Sequence, residues 1–434
     1  MGQVLSTDLA IVLGARVVMS AARALSAVVA SIYLAVDGFG ALDLGLLFLL
    51  IAMGSAGMST LVGIFSARYG RRVFLVVVPF MAAFAALVFA LTANPLLLAV
   101  AAVIGTFGRG AGAGAGSVGP YQPAESALVT GLVSPTDRNR VFGWLAAAAS
   151  AGAVLGAGLA AFFAPSAAPA HLALPDFRLV FLLCAGLAGL AGLIALFLSP
   201  DQPIKGSHEA KVRWPRKSGS LLVRLWVTNG VNGVAVGLFG PFVAYWFFRR
   251  FGAAPSEIGL IFGVINIATI TSTLSASAIA ARMGIVRTIS AVRFLQGLLL
   301  LPLALAPTLP VAVVIYLGRM MIQRVGMPLR QSYVLGMADP SERSQVAALS
   351  NVPSMVGMAA SPLLTGYLFE EVSLALPFEI GGVLQILNAA MFYGFFRAMR
   401  PEEERGEMGQ ERGRWRRAVP EPDLSPYGEE DPGE

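Results

Sequence analysis

The chain has one cysteine, two histidines and only 13% charged residues across 434 positions. Each shortage excludes a class of protein. A single thiol, Cys184, cannot form an intrachain disulfide, so a disulfide-stapled scaffold is excluded. The histidines, His171 and His208, lie apart in predicted loops, whereas a zinc site needs three or four converging ligands. No metal site and no cofactor is expected. A soluble domain carries about a quarter charged residues. Half that share cannot cover the surface of a soluble fold of this size.

What the chain has in plenty is apolar sequence. Hydrophobic residues make up 56% of it and the mean hydropathy is +0.73. Forty-eight glycines suit helices that pack closely in a membrane. A crossing helix needs about 20 apolar residues. Runs of that kind fall at 9–36, 41–66, 73–92, 96–133, 138–164 and 178–199. After the polar stretch 200–220 come six more, at 221–248, 255–281, 286–306, 309–337, 343–369 and 375–398. Barrel strands would be about 9–11 residues long and alternating. The expected fold is an all-α integral membrane protein with 12 transmembrane helices in two pseudo-symmetric halves. The expected divisions are 1–199 for the first six-helix half, 200–220 for a central loop, and 221–398 for the second half. Residues 399–434 are expected to be a disordered acidic tail, because eleven of the 25 acids lie beyond residue 400.

That subtraction leaves 14 acids against 26 bases in the first 400 residues. With both termini placed inside, fifteen bases fall in the inner loops, from Arg68, Arg71 and Arg72 through Lys205, Lys211 and Lys217 to Arg400. Only Arg178, Arg249 and Arg250 fall outside. This asymmetry supports an even number of spans, cytoplasmic termini and a multi-pass cell-membrane protein.

The two halves repeat. YLAVDGFGALDLGLLF at 33–48 recurs as YWFFRRFGAAPSEIGLIF at 245–262, with Gly45 matching Gly259. Arg68 and Gly70 recur as Arg282 and Gly284. SPTDRNRVFG at 134–143 recurs as DPSERSQVAA at 339–348, so that Arg138 matches Arg343. Two like-oriented six-span units are what a parallel membrane repeat looks like.

Between spans 2 and 3 stands GIFSARYGRR, Gly63 to Arg72. With the repeat and the basic central loop, it resembles the major facilitator superfamily, whose signature is G-x-x-x-D-R-x-G-R-R. Gly63, Arg68, Gly70, Arg71 and Arg72 match, and Ala67 stands where the family usually has Asp. The resemblance implies a loop that latches the halves together in an outward-open state. It also implies that an acid on span 4, here Glu125, pairs with Arg71 or Arg72. Physically, Gly63 would permit close helix approach, Gly70 a tight turn, and the arginines contact with anionic lipid.

Ionisable residues inside spans are functional candidates by default. Arg16 and Arg23 share one face of span 1, and Arg23 lies roughly 20 Å deep at 1.5 Å per residue. Arg109 is on span 4, and Arg319, Gln323 and Arg324 are on span 10. Asn229 and Asn232 lie close together on span 7, and Arg330 occupies the repeat position of Glu125. Spans 1, 4, 7 and 10 line the cavity in the family the chain resembles, so these residues apart from Arg330 are the expected solute-cavity set, and Arg330 is expected with Glu125 and the signature residues in the gate. Arg224 and Arg293 are expected to snorkel to the near membrane face. Arg109 also heads RGAGAGAG, similar to a span-4 motif of proton-coupled antiporters. The match of GAGSVG at 114–119 to a dinucleotide fingerprint is rejected, since no strand precedes it.

Arginines with few balancing acids favour a solute with negative charge, because their forks pair bidentately with carboxylate or phosphate. The expected function is secondary transport of a small organic anion by alternating access, without enzymatic activity. Two alternatives stand beside it: proton-coupled efflux of amphiphilic drugs, and a non-transporting membrane sensor or scaffold. Expected partners are a small-molecule solute, protons as a candidate coupling ion, and the lipid bilayer. No nucleic-acid partner is expected, and the chain is expected to be a monomer.

Overall fold

A computed structural model describes residues 7–108, 119–134, 137–200, 215, 217–274, 276–339 and 341–399. Arg109 and its glycine run, His208, most of the central-loop bases and the acidic tail lie outside the described residues. Among the described residues, ten helices are long and apolar enough to cross a membrane. Two shorter apolar helices, Pro95–Ile104 and Pro255–Ile270, lie at the remaining two crossings.

The first half runs through span 1 (Thr7–Val36), span 2 (Ala41–Tyr69) and span 3 (Arg71–Leu91). Span 4 follows in two pieces (Pro95–Ile104 and Gln122–Leu132), then span 5 (Arg138–Phe163) and span 6 (Arg178–Ala195). The second half has span 7 (Gly219–Phe239 and Val243–Phe251), span 8 (Pro255–Leu274 and Ala276–Met283) and span 9 (Ile285–Ala304). Span 10 (Leu309–Met337), span 11 (Arg343–Ser350 and Val352–Glu371) and span 12 (Leu376–Phe396) complete it. The membrane side where span 1 begins and span 12 ends is called the terminal face below; the opposite side is the far face.

Local sequence sets these boundaries. Asn94 caps span 4, its Oδ1 accepting from the Leu96 and Leu97 N–H groups at 3.0 and 3.2 Å, with Pro95 opening the helix. The long run at 96–133 is broken by a turn: Thr106 at φ 47° and Gly108 at φ 78° follow the end of the first piece, because a right-handed helix cannot pass through left-handed residues. Span 7 is interrupted at Gly240–Phe242, where Pro241 removes a backbone donor. The repeat is visible in the turns as well. Gly70 (φ 89°) and Gly284 (φ 80°) make the same left-handed turn at equivalent points of the two halves. Asp43 and Glu257, also equivalent, reach back to the Gly40 and Ala254 N–H groups at 3.0 and 2.9 Å.

Packing follows the same symmetry. Span 1 lies on spans 5 and 6, and span 7 on spans 11 and 12; span 3 lies on span 6, and span 9 on span 12. Two further pairs join the halves, span 2 with span 11 and span 8 with span 5. Lipid is as apolar as leucine, so close backbone approach rather than hydrophobic burial holds such helices. A Cβ added to Gly45 would lie 2.5 Å from the Pro362 carbonyl oxygen, and one added to Gly259 would lie 2.6 Å from the Ala161 nitrogen. Only glycine fits at these crossings. Large apolar side chains instead face outward, with Phe162 86% and Phe197 79% exposed, while Arg293, Arg319, Glu125 and Asn388 are buried. Apolar outside and charged inside is the arrangement a bilayer demands.

Three apolar clusters show how the halves sit. One cluster draws on both halves and includes Phe48 and Phe242, whose rings meet edge-on at 5.2 Å. The second is built from residues between Leu9 and Leu198 of the first half alone, and the third from Leu221 onward in the second half alone. The shared cluster gathers far-face residues such as Phe39, Ala41 and Phe369, so the halves close on each other at that face.

Candidate transport site

A cavity of about 260 Å³ lies within the second half. Its walls come from one stripe on each of four helices. Span 9 contributes Ile289, Val292, Arg293 and Gln296; span 10 contributes Met320, Gln323, Arg324, Met327 and Arg330. The three- and four-residue steps put each set on a single helix face. Asn232 and Val236 of span 7, with Ser354 and Met358 of span 11, complete the lining, together with Gly326. Three arginines and no carboxylate therefore line it among the described residues.

Neutral amides hold two of these arginines. Arg293 Nη1 donates to Asn388 Oδ1, its guanidinium stacks 4.5 Å from the Phe392 ring centroid, and Asn388 Nδ2 in turn donates to the Thr228 carbonyl. Arg330 Nη1 donates to Asn351 Oδ1 at 2.8 Å and to Asn229 Oδ1 at 3.2 Å, and Asn229 Nδ2 donates to the Ser350 carbonyl at 2.7 Å. Gln385 Nε2 reaches Gln296 Oε1 at 3.5 Å. These bonds orient the cations without cancelling their charge. The cavity consequently presents a positive field in a low-dielectric setting, where it acts strongly on an anion.

The expected cavity residues divide on inspection. Asn232, Gln323 and Arg324 line the space; Arg330, expected among the gating residues, lines it too, and Asn229 supports Arg330 from behind. Arg319 does not reach it. It is 1% exposed under Phe239, 4.2 Å from the ring centroid, with Nη1 donating to Gln323 Oε1 at 3.4 Å. Arg16 is placed elsewhere again, buried in the first half with its Nη1 on Glu125 Oε2, beside Leu75, Pro79 and Tyr121. Arg23 donates to Thr106 Oγ1 at 3.3 Å, at the point where span 4 leaves its helix. Arg109 lies outside the described residues. Arg293, expected to snorkel, is a correction: it is 5% exposed and lines the cavity. It is about 12 Å from the start of span 9 at Ile285, at ~1.5 Å per residue, and faces the bundle, so no route to the headgroups is open to it.

A model of the Major Facilitator Superfamily matches residues 12–223 and 225–425. The chain belongs to the Major Facilitator Superfamily. An uncharacterised membrane protein of Saccharomyces cerevisiae is 24% identical, over 81% of this chain and 86% of that protein. Among solved structures, nucleoside transporter NupG superposes with a TM-score of 0.69 at 12% identity, covering 90% of this chain and 99% of its own. A bacterial homologue of the human lysosomal transporter Spinster, in an inward-facing unoccupied conformation, gives 0.67 at 14% identity, covering 89% and 95%. These likenesses establish the fold.

The superfamily signature loop takes an unexpected form. Gly63 was expected to allow close helix approach, but an added Cβ would meet nothing within 4 Å. Gly70 makes the expected tight turn. Arg68 is exposed over the Tyr69 ring, and Arg282, its repeat partner, is exposed too. Arg71 Nη1 donates to the Ala127 carbonyl at 2.9 Å, and Arg72 Nη2 donates to the Leu196 carbonyl. The expected partnership of Glu125 with Arg71 or Arg72 is therefore corrected to Arg16. With Ala67 in place of an acid, Arg72 caps the end of span 6, where the helix dipole favours a cation, while Arg71 reaches a carbonyl within the second piece of span 4. Arg138 and Arg343 repeat this behaviour on the Thr130 and Ala338 carbonyls, both at 3.4 Å. Beside Arg343, the Ser341 hydroxyl and N–H hold the Asp339 carboxyl below its ordinary range, and Lys217 Nζ stands 3.5 Å from it.

Proposed function

We propose that the protein is a secondary active transporter that moves a small organic anion by alternating access across the cell membrane, with both termini cytoplasmic. The observation that carries this reading is the cavity lined by Arg293, Arg324 and Arg330 with no carboxylate among the described lining residues. A buried positive field costs several kcal/mol unless something compensates it, and an anionic solute is the natural compensation. Closure of the halves at the far face, with separate apolar clusters toward the terminal face, supports a cavity loaded from the cytoplasmic side in this state. The basic terminal-face loops support the orientation.

Drug efflux by proton antiport has weaker support. It calls for an available carboxylate within the membrane, and Glu125 is committed to Arg16. The test is a thermal-shift screen of the detergent-solubilised full chain against matched pairs of charged and uncharged small molecules. Carboxylates should raise the melting temperature and their amides should not. Stabilisation by cationic amphiphiles alone would favour efflux instead.

A further inference from the structure

The three cavity arginines are not equivalent. Arg293 is fixed by Asn388 and Phe392, and Arg330 by Asn351 and Asn229. Arg324 makes no hydrogen bond among the described residues, although it is part-buried and lines the same space. Its guanidinium, with five donors in a rigid fork, is the one of the three whose donors all remain free to face the cavity. A fork open to the space can pair bidentately with a carboxylate.

The remaining walls define what else the occupant must be. Gln296 and Gln323 are engaged by Gln385 and Arg319. Six apolar side chains, three of them the methionines Met320, Met327 and Met358, share the rest with Asn232, Ser354 and Gly326. That apolar surface favours a solute with an apolar body over one hydroxylated throughout. Methionine adapts to irregular apolar shapes because it is unbranched and polarisable.

We propose that Arg324 is the residue that directly grips the solute's anionic group, and that the solute is an amphiphilic carboxylate whose apolar body rests on Met320, Met327 and Met358. Arg293 and Arg330 act as fixed charges that set the field. This assignment rests on the transport reading of the same cavity.

The test is binding of a carboxylate panel to the purified full chain: acetate, hexanoate, benzoate and gluconate, with hexanamide and benzamide as uncharged controls. Affinity should rise from acetate to hexanoate, approaching about fourfold per buried methylene, while gluconate and the amides bind at least tenfold more weakly. Arg324→Gln should weaken benzoate at least tenfold, and Arg324→Lys, which keeps charge but loses the fork, should recover part of that loss. Melting of the unliganded variants checks that they fold. If Arg324→Gln does not fold, the comparison passes to Arg324→Lys, where unchanged benzoate affinity overturns the assignment. Unchanged affinity in a folded Arg324→Gln removes Arg324 as the anchor while leaving anion transport standing. Gluconate binding as well as hexanoate overturns the amphiphile assignment. Amides binding as well as carboxylates, or no carboxylate binding at all, overturns the anion reading itself and this inference with it.

Discussion

The Glu370 carboxylate, at the end of span 11, accepts a hydrogen bond from the Leu42 N–H in the first turn of span 2 at 2.8 Å. The bond crosses between the halves at the far face and sets a negative charge on a helix N-terminus. An exposed interaction of this kind contributes about 0.3–1 kcal/mol. Glu370→Gln should therefore shift the population toward far-face opening by a few-fold. Spin labels at Leu91→Cys and Leu305→Cys, both at exposed far-face positions, would report the distance in a Cys184→Ala background. An unchanged distance distribution would assign the bond no role in closure.

Arg16 and Glu125 form a buried pair between spans 1 and 4. Removing one partner leaves the other charge in a low-dielectric interior, at a cost of about 3–5 kcal/mol. Arg16→Met and Glu125→Met should each lower the melting temperature markedly, and the double variant should recover much of the loss. Additive losses in the double variant would mean the two residues act independently.

Asn388 bridges Arg293 to the Thr228 carbonyl, tying span 9 to spans 12 and 7. Asn388→Leu keeps the volume but leaves Arg293 without its oxygen acceptor, a loss of about 1–3 kcal/mol. KM for an anionic solute should change in this variant as Arg293 turns within the cavity. A KM identical to wild type, with lowered stability only, would make Asn388 purely structural.

The glycine crossings carry the symmetry into a prediction. Gly45→Val and Gly259→Val both push a side chain into backbone, of Pro362 and Ala161 respectively. Both should widen the far-face label distance in the same direction, since backbone cannot step aside as a flexible side chain can. Opposite effects would show that the two crossings are not functionally equivalent.

These positions also mark how far the sequence alone could be read. The repeat paired Gly45 with Gly259 and Gly70 with Gly284, and each pair does the same physical work in both halves. Run lengths and loop charge gave the twelve spans because bilayer thickness imposes a long, local and one-dimensional signal. Partners are a different matter. Glu125 finds Arg16 at a separation of 109 residues and Arg293 finds Asn388 at 95, and no local pattern encodes such meetings. The face of a helix is legible in principle: Ile289, Val292, Arg293 and Gln296 fall on one stripe. Reading that stripe, rather than depth alone, would have placed Arg293 in the cavity. The length of the 96–133 run implies a turn within it, but Thr106, an ordinary residue inside an apolar run, does not mark where the turn falls.

Counterflow in proteoliposomes tests most directly the proposal that this arginine-lined cavity carries an anion across the membrane. Vesicles preloaded with unlabelled carboxylate should transiently accumulate the labelled carboxylate above its equilibrium level, and should not accumulate the corresponding amide. Binding of the carboxylate without any accumulation, or accumulation of the amide to the same level, would contradict it.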